Sequence, residues 1–298
     1  MDWDDARYFL AIAREGQMLG AARRLAVSQA KLSRHLATLE AALGTRLLER
    51  TTRGCVPTAD GRAFLETAER MESAALTGMA RLSQAATGLA GTVRIGAPDG
   101  LGASFLAPRL ARLHQIHPGL RIQLVPLPRT FSLSSREADL AITVERPTQG
   151  RLRTKRLSDY TLGLYAGADY LARQPPPATA RDLHDHVLVG YVEDLIHTPA
   201  LNYAEEFLPG WRSTIEVSTA IGQLQAIRAG AGIGALHDFM VAGDRALCAV
   251  LPDLSVTRSY WAVWHEDLRT DSRVRACVAF LDTEMQAARA DLVRSPAA

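Results

Sequence analysis

Two helical segments near the N-terminus, separated by only two residues, constrain the fold more than any other feature of the sequence. The first segment is Met18–Leu25, in which Leu19, Ala21, Ala22 and Leu25 recur at helical spacing. Ser28, a favoured N-cap residue, begins the second. Leucines that recur every three or four residues give this second helix its inward face, and they are Leu32, Leu36, Leu39 and Leu43. The sequence therefore predicts a helix, a tight turn and a helix.

The opposite face of the second helix carries small, hydroxylated and basic side chains. At 100° per residue, the side chains that point away from the leucines are Ala30, Lys31, Ser33, Arg34 and Thr38. Arginine and lysine reach phosphates or guanine, hydroxyl groups bond to base edges or backbone, and alanine fits beside a thymine methyl group. Such a face suits a DNA groove, and a solvated helix surface is the alternative interpretation.

Further elements flank this pair of helices. Ala6, Phe9, Leu10 and Ala13 predict an amphipathic helix that ends at Gly16. After Gly44, residues 47–57 contain β-branched residues with Gly and Pro, which predicts a small β-hairpin, or wing. Arg50 and Arg53 on this wing either follow the DNA backbone or minor groove, or are ordinary surface charges.

A long helical pattern then runs from Thr58 to about Leu89. Its apolar residues mostly alternate steps of three and four, as in a heptad repeat. They are Phe64, Ala68, Met71, Ala75, Met79, Leu82, Ala86 and Leu89. We expect two chains to pair through this helix, since two linked half-sites on DNA bind more tightly than one. The alternative is a helix packed against its own domain.

From Gly91 onwards, strands alternate with helices. The predicted strands are 93–95, 120–125, 139–144, 162–165, 187–191, 215–217, 233–236 and 260–264, and the predicted helices are 105–116, 222–229 and 272 to about 293. This alternation predicts parallel sheets covered by helices on both faces. Ligands of such sheets bind at the carboxyl ends of strands.

Several classes of protein are disfavoured by the composition. The three cysteines, Cys55, Cys248 and Cys277, are odd in number and widely spaced, which argues against a disulfide framework and favours the cytoplasm. We expect Cys248 and Cys277 to be buried, inert thiols, with a redox pair as the alternative. The N-terminus lacks the pattern of a signal peptide, and no run of about 18 apolar residues predicts a membrane span.

Motifs of catalysis and metal binding are weak. The run Gly230–Gly234 follows a helix and leads into a strand, the reverse of a dinucleotide-binding loop. The pairs His114 with His117 and His184 with His186 lack the further ligands of a metal site. No nucleophile motif is evident. We therefore expect no enzyme activity, no cofactor and no metal.

Many short runs of residues, in fixed order and with fixed gaps, resemble the LysR-type transcriptional regulators. Near the N-terminus these are Ala6–Ala13, Ala21–Gln29, Leu32–Arg34, Leu39–Glu40, Leu43–Gly44, Leu47–Arg50 and Thr58–Gly61. Looser matches follow at Phe105–Leu110, His117–Pro118, Ala138–Ile142 and Ala229–Gly234. The chain is thus similar to this family over nearly its whole length.

The resemblance implies a multidomain protein. Its parts are a mainly α-helical winged helix-turn-helix over residues 1–60, a linker and dimerisation helix over 61–90, and an α/β two-lobed effector domain of the type 2 periplasmic-binding-protein kind over 91–298. Lobe I comprises 91–162 and 267–298, and lobe II comprises 163–266. The chain is expected to cross between lobes near Thr161–Tyr165 and near His265–Leu268.

The implied function is a transcriptional regulator controlled by a small molecule bound between the lobes. Its implied partners are double-stranded operator DNA of pseudo-palindromic sequence, the effector, further copies of itself as a homodimer and homotetramer, and RNA polymerase if it activates; no membrane contact is expected. A solute-binding protein without a transcriptional role is the alternative. That alternative predicts a secretion signal and no basic N-terminal module, and the sequence has the opposite features.

Matched residue by residue, the resemblance assigns DNA contacts to the second helix and the wing. These are Ser28, Gln29, Ala30, Lys31, Ser33 and Arg34, with Arg50 and Arg53 on the wing, and the outward face of the helix adds Thr38. Ala30 and Lys31 depart from the residues common in the family, so we expect them to distinguish the operator that this chain reads. Gln17 stands where the family often has Ser, which predicts a weaker cap on the preceding helix.

The expected effector site combines residues at strand ends and helix starts. They are Asp99, Gly100, Leu101 and Ser104, then Arg129 and Phe131, Thr143, Tyr191 and Glu193, and finally Thr219 and His237. A helix start there suits an anion. Asp99 instead favours a polar or cationic effector, whereas Arg129 would pair with an acid and Phe131 would stack on a ring.

Overall fold

The computed structural model describes residues 2–51, 54–69, 71–72, 75, 89–126, 138–148, 150–196 and 198–294. The chain divides into two compact units, Met1–Ala86 and Thr87–Ala298. Within the described residues, no helix has the length and apolar character that crossing a membrane requires.

The first unit is built from four helices and a hairpin. Its elements are α1 (Trp3–Glu15), α2 (Met18–Leu25), α3 (Gln29–Leu43), β1 (Leu48–Thr51), β2 (Gly54–Pro57) and α4 (residues 59–69). Gly16 and Gly44 end α1 and α3 in the left-handed conformation, at φ 65° and 70°, which costs glycine little. Ala26 adopts the same conformation at φ 53° and closes the two-residue turn between α2 and α3. The helix, tight turn, helix and wing are confirmed.

Leucines of α3 supply much of the core of this unit. Leu32 and Leu39 are fully buried and Leu36 is nearly so, as the spacing predicts. The expectation for Leu43 was wrong. Its side chain is 39% exposed, because it lies in the last turn of α3 before the Gly44 cap and outside the core cluster.

The first apolar residues of the predicted heptad repeat pack within the first unit. Ala68 is fully buried in the core, and the ring centroids of Phe64 and Phe9 lie 5.4 Å apart. Phe64 and Ala68 therefore pack on their own domain, and the expectation that these two residues lie in a dimer interface was wrong. Ala75 is exposed, and Met79, Leu82 and Ala86 lie outside the described residues. Pairing of two chains stays a prediction.

The second unit contains an eight-stranded sheet in the order β4-β3-β5-β10-β6-β9-β7-β8. The strands are β3 (Gly91–Ala97), β4 (Leu120–Pro126), β5 (Leu140–Thr143), β6 (Leu152–Gly167), β7 (Leu188–Gly190), β8 (Ile215–Glu216), β9 (Ile233–His237) and β10 (Leu247–His265). The pairs β3–β4, β3–β5, β7–β8 and β7–β9 are parallel. The pairs β10–β5, β10–β6 and β6–β9 are antiparallel. The sheet is therefore mixed, and the prediction of purely parallel sheets was wrong.

Helices pack around this sheet. They are α5 (Asp99–Leu101), α6 (Leu110–Ile116), α7 (Ala168–Leu171), α8 (Ala204–Phe207), α9 (Ala220–Arg228), α10 (Asp238–Val241), α11 (Ser272–Ala287) and α12 (Arg289–Leu292). A π-helical turn at Gly102–Leu106 and a 3-10 turn at Ala107–Arg109 connect α5 to α6. Helical structure thus starts at Asp99, six residues before the predicted start, and it begins directly after β3.

Two long antiparallel strands join the halves of the sheet. β6 and β10 pair from Leu247 opposite Gly167 to His265 opposite Leu152. Residues 162–166 of β6 also pair with β9, whereas residues 261–264 of β10 pair with β5. The second chain crossing therefore lies within β10, before Trp261, and the expectation of a crossing at His265–Leu268 was wrong because β10 is longer than its predicted segment.

The two cysteines of the second unit differ in burial. Cys277 is buried on α11, and burial raises the pKa of its thiol to about 12. Cys248 on β10 is only half-buried, which corrects the expectation that both thiols are buried; both are free. At neutral pH the Cys277 thiol is protonated and a poor nucleophile.

Candidate DNA-binding surface and effector site

The candidate DNA-binding surface is the exposed face of α3. Ser28 caps the helix, its Oγ accepting from the backbone N–H of Lys31 at 3.2 Å. The exposed side chains on this face are Gln29, Ala30, Lys31, Arg34 and Thr38. Ser33 lies on the same face and is half-buried. Because the buried leucines fix the opposite face, these side chains are presented together.

The wing lies beside the start of α3. A concavity of about 370 Å³ separates them, and it is lined by Gln29, Ala30 and Ser33 of α3 and by Thr51, Gly54 and Cys55 of the hairpin. Arg50 lies on β1 opposite Cys55 in the ladder. Arg53 falls outside the described residues. The start of α3 and the hairpin thus form one continuous surface.

Side chains of α1 hold α3 in place. His35 Nδ1 on α3 lies 2.6 Å from Asp5 Oδ1 on α1, and the His35 ring lies 4.6 Å from that of Tyr8. Lys31 Nζ lies 5.9 Å from the centre of the Tyr8 ring. The sequence pattern did not predict these contacts. Only the spacing of Asp2 and Asp5, which form a capping box, signals a role for Asp5 beyond a surface charge.

α2 begins without a side-chain cap. Gln17 occupies the N-cap position in an extended conformation and makes no capping hydrogen bond. The prediction of a weaker cap is confirmed.

In the second unit, Asp99 joins the end of β3 to the start of α9. Its Oδ2 accepts from the backbone N–H of Ile221 at 3.3 Å, and Thr219 Oγ1 accepts from Gly222 N–H at 3.0 Å. Burial raises the pKa of Asp99, and backbone hydrogen bonds from Ile221, Ala220 and Gly100 oppose the rise. Two residues predicted for the effector site, Asp99 and Thr219, therefore meet at one helix N-terminus.

A cluster of aromatic side chains lies nearby. Tyr203 links the predicted residues Tyr191 and His237, with ring centroids 6.2 Å and 6.3 Å apart. Tyr160 stacks on His237 at 5.3 Å and on Tyr260 at 4.0 Å. Tyr160, Tyr203 and Tyr260 were not predicted from the sequence, since they come from separate elements that only the fold brings together.

Burial controls the protonation of this cluster. It lowers the pKa of His237 to about 4, so the ring is neutral at neutral pH. It raises the pKa of Tyr191 and of Tyr203 above the ordinary value, and the negative charge of Asp99 adds to both shifts.

A cavity of about 550 Å³ opens beside these residues. Its lining includes Tyr191 and Glu193, both predicted, together with Tyr203, Glu205 and Trp211. A volume of this size suits a small molecule.

The remaining predicted effector residues are less closely connected. Gly100 and Leu101 are buried in α5, and a Cβ on Gly100 would lie 2.9 Å from Met240 Sδ. Ser104 is half-buried in the π-helical turn, and Thr143 at the end of β5 donates to the carbonyl of Glu145. Arg129 and Phe131 lie outside the described residues. Across the described part of the chain, no group of three His, Cys, Asp or Glu side chains is arranged to hold a metal ion.

Two family models match the chain. The model described as "Bacterial regulatory helix-turn-helix protein, lysR family" matches residues 3–62, and the model described as "LysR substrate binding domain" matches residues 86–286. Together they account for most of both compact units.

Curated relatives are similar over most of their lengths. The transcriptional regulator CrgA of Neisseria meningitidis is 26% identical over 293 residues, covering 95% of this chain and 96% of its own. The transcriptional activator TtdR of Escherichia coli is 28% identical over 294 residues, covering 93% and 91%. The uncharacterised regulator YhjC of Escherichia coli is 30% identical over 233 residues, covering 76% and 77%.

Solved structures share the fold. A full-length variant of OxyR from Pseudomonas aeruginosa superposes with a TM-score of 0.69 at 20% identity, covering 96% of this chain and 95% of its own. The virulence activator AphB of Vibrio cholerae gives a TM-score of 0.59 at 22% identity, covering 94% and 98%.

Proposed function

We propose, on the premise that this chain belongs to the LysR family of bacterial transcriptional regulators, that α3 enters the major groove of an operator while the wing lies along its backbone. Membership in the family makes the chain a DNA-binding transcriptional regulator with an effector-binding domain, and not an enzyme. The proposal concerns which residues carry these activities.

One observation carries the DNA-binding part of the proposal. The exposed face of α3 and the hairpin form one continuous surface around the 370 Å³ concavity, with no large apolar side chain on the α3 part of it. Bases are assigned to Gln29, Ala30, Ser33 and Arg34, and phosphates to Ser28, Lys31 and Thr38, with Arg50 and Arg53 on the backbone or minor groove. Ala30 sets the operator apart from those of relatives, and Lys31 does so only if it contacts a base instead of a phosphate.

Retardation of a DNA fragment from the chain's own upstream region tests this assignment. We expect Arg34→Ala to weaken retardation by about tenfold or more, because one good base contact contributes roughly 1–3 kcal/mol. Arg275→Ala removes the same charge from an exposed position of α11 and serves as the matched control. Equal binding by the two variants would show that α3 does not read the site.

The effector is assigned to the second unit. The assigned parts are Asp99 and Thr219 at the start of α9, the aromatic cluster that contains Tyr191 and His237, and the 550 Å³ cavity that Tyr191 lines. Gly100, Leu101, Ser104, Arg129, Phe131, Thr143 and Glu193 complete the proposed set. Residues 91–298 form the effector domain in this proposal. A ligand there is expected to change the affinity for DNA or the activation of transcription, which titration of the fragment with and without ligand measures.

A homodimer, assembling further into a tetramer, is the proposed active form. The helix over residues 61–90 pairs two winged domains of residues 1–60 through its apolar residues after Ala68. This arrangement suits a pseudo-palindromic operator in the cytoplasm, with RNA polymerase as a further partner if the chain activates. Sedimentation equilibrium tests this assembly. A monomer at micromolar concentration would contradict it.

A further inference from the structure

Acidic side chains dominate the charged lining of the 550 Å³ cavity. The charged lining residues are the carboxylates Glu193, Glu205 and Glu216 and the guanidinium Arg212, and Glu205 Oε2 accepts from the backbone N–H of Gly210 at 3.0 Å. The side-chain charge of the lining is therefore −3 + 1 = −2. A cavity with walls of this sign attracts cations and repels carboxylates or phosphates.

Aromatic rings form another part of the lining. Tyr191, Tyr203 and Trp211 all line the cavity, and Trp211 Nε1 donates to Ser213 Oγ at 3.0 Å. The electron-rich face of such rings attracts ammonium groups, and it also provides apolar surface for a hydrocarbon part of a ligand. Carboxylates next to aromatic rings are the surroundings that a protonated amine prefers.

The position where an acidic ligand would bind is already occupied by the protein itself. The N-terminus of the nine-residue helix α9 is a natural anion site. Here Asp99 accepts from Ile221 N–H and Thr219 accepts from Gly222 N–H, so oxygens of the chain take these donors. Since Asp99 is 8% exposed and its described hydrogen bonds come from backbone N–H groups, its charge repels a second anion.

A nearby hydroxyl group is left without a partner. Tyr260 Oη is buried and makes no hydrogen bond with the described residues. Tyr260 stacks on Tyr160, and burial raises the pKa of its hydroxyl, so the group is uncharged at neutral pH.

We propose that the effector of this chain is a small organic cation: a protonated amine whose ammonium group binds the cavity carboxylates and whose apolar part lies on Tyr191, Tyr203 and Trp211. The inference rests on the proposed function only in that the second unit is taken to bind an effector.

Calorimetric titration of the full chain with matched probes tests this inference. The probes are 2-phenylethylamine, 2-phenylethanol and phenylacetate, which share a ring and differ in charge, together with ethylamine and acetate as smaller members. We expect 2-phenylethylamine to bind at least about tenfold more tightly than the alcohol, and phenylacetate to bind more weakly still. Equal or tighter binding of phenylacetate, or no binding of either amine, would overturn the inference.

A charge-neutral variant separates the acidic wall from the rest of the cavity. Glu193→Gln, Glu205→Gln and Glu216→Gln combined keep the shape of the lining and remove three charges. We expect amine affinity to fall at least tenfold, with the alcohol unchanged, whereas Asp253→Asn, an exposed acid outside the lining, leaves both unchanged. Undiminished amine affinity in the triple variant overturns the inference.

Failure of this inference is distinguishable from failure of the proposed function. DNA retardation requires only the first unit's surface, so a chain that retards its upstream fragment but rejects amines remains a regulator with another kind of effector. A chain that binds amines without retarding DNA contradicts the assignment of α3 instead.

Discussion

His35 Nδ1 lies 2.6 Å from Asp5 Oδ1, so a charged hydrogen bond ties the candidate recognition helix α3 to α1. Burial opposes the charge of Asp5, which is 2% exposed. The hydrogen bonds from His35 and from Asp2 N–H outweigh burial, and the pKa of Asp5 lies below its ordinary value. The orientation of α3 therefore depends on a residue outside the surface that it presents.

Asp5→Ala is expected to destabilise the first unit by about 2 kcal/mol, because it leaves His35 and the Asp2 N–H without their acceptor. Hydrogen exchange of the α1 and α3 amides in the full chain measures this loss. Asp4→Ala is the control. Among the described residues the Asp4 side chain makes only an exposed pair with Arg7, and its backbone N–H, which donates to Asp2 Oδ1, is kept in the variant, so we expect a change below about 1 kcal/mol. Similar exchange in both variants would refute a special role for Asp5.

Gly61→Ala is expected to destabilise the junction between the wing and α4. An added Cβ would lie 1.9 Å from the carbonyl oxygen of Leu47, and relieving that clash costs roughly 1–3 kcal/mol. Gly20→Ala is expected to act in the opposite direction, by about 0.5–1 kcal/mol, because its nearest neighbour is the flexible Glu15 side chain and α2 gains helix propensity. Hydrogen exchange of the full chain distinguishes the two signs.

His237 is expected to make the second unit sensitive to acid. Burial lowers its pKa from 6.5 to about 4, so the unfolded chain binds a proton at higher pH than the folded chain. Its contribution to stability is fully present above pH 6.5 and is lost as the pH falls towards 4. The loss is on the order of 3 kcal/mol.

Calorimetric unfolding between pH 7 and 4 checks this expectation by comparing the chain with His237→Gln. The variant starts less stable, since it loses the ring contacts with Tyr160 and Phe239, but its decline with falling pH is shallower. His114→Gln alters an exposed histidine and should leave the pH profile unchanged. A decline in His237→Gln as steep as that of the unaltered chain would exclude His237 as the source.

Lys31→Ala is expected to reduce the salt dependence of operator binding. If Lys31 contacts one phosphate, the slope of log K against log salt becomes shallower by about 0.9, while the preferred DNA sequence is unchanged. Fluorescence anisotropy with labelled operator at several salt concentrations measures both. An altered sequence preference with an unchanged slope would assign Lys31 to a base instead.

Local sequence signals predicted the first unit almost completely. Gly16, Ser28 and Gly44 mark helix ends because capping depends on neighbouring backbone groups, and Leu32, Leu36 and Leu39 identify the buried face of α3 by spacing alone. The exposed face, with Lys31 and Arg34, follows from the same periodicity. These features depend on contacts between residues a few positions apart.

Only the tertiary structure decided the length and direction of β6 and β10. Their pairing joins residues about 100 positions apart. The local sequence pattern predicts strands only over 162–165 and 260–264, and pairing with a distant strand extends both. The same folding brings Asp99 to α9, Tyr203 to His237 and Asp5 to His35. A helix cap is determined within one turn of chain, whereas a buried polar or aromatic cluster exists only once separate elements have packed.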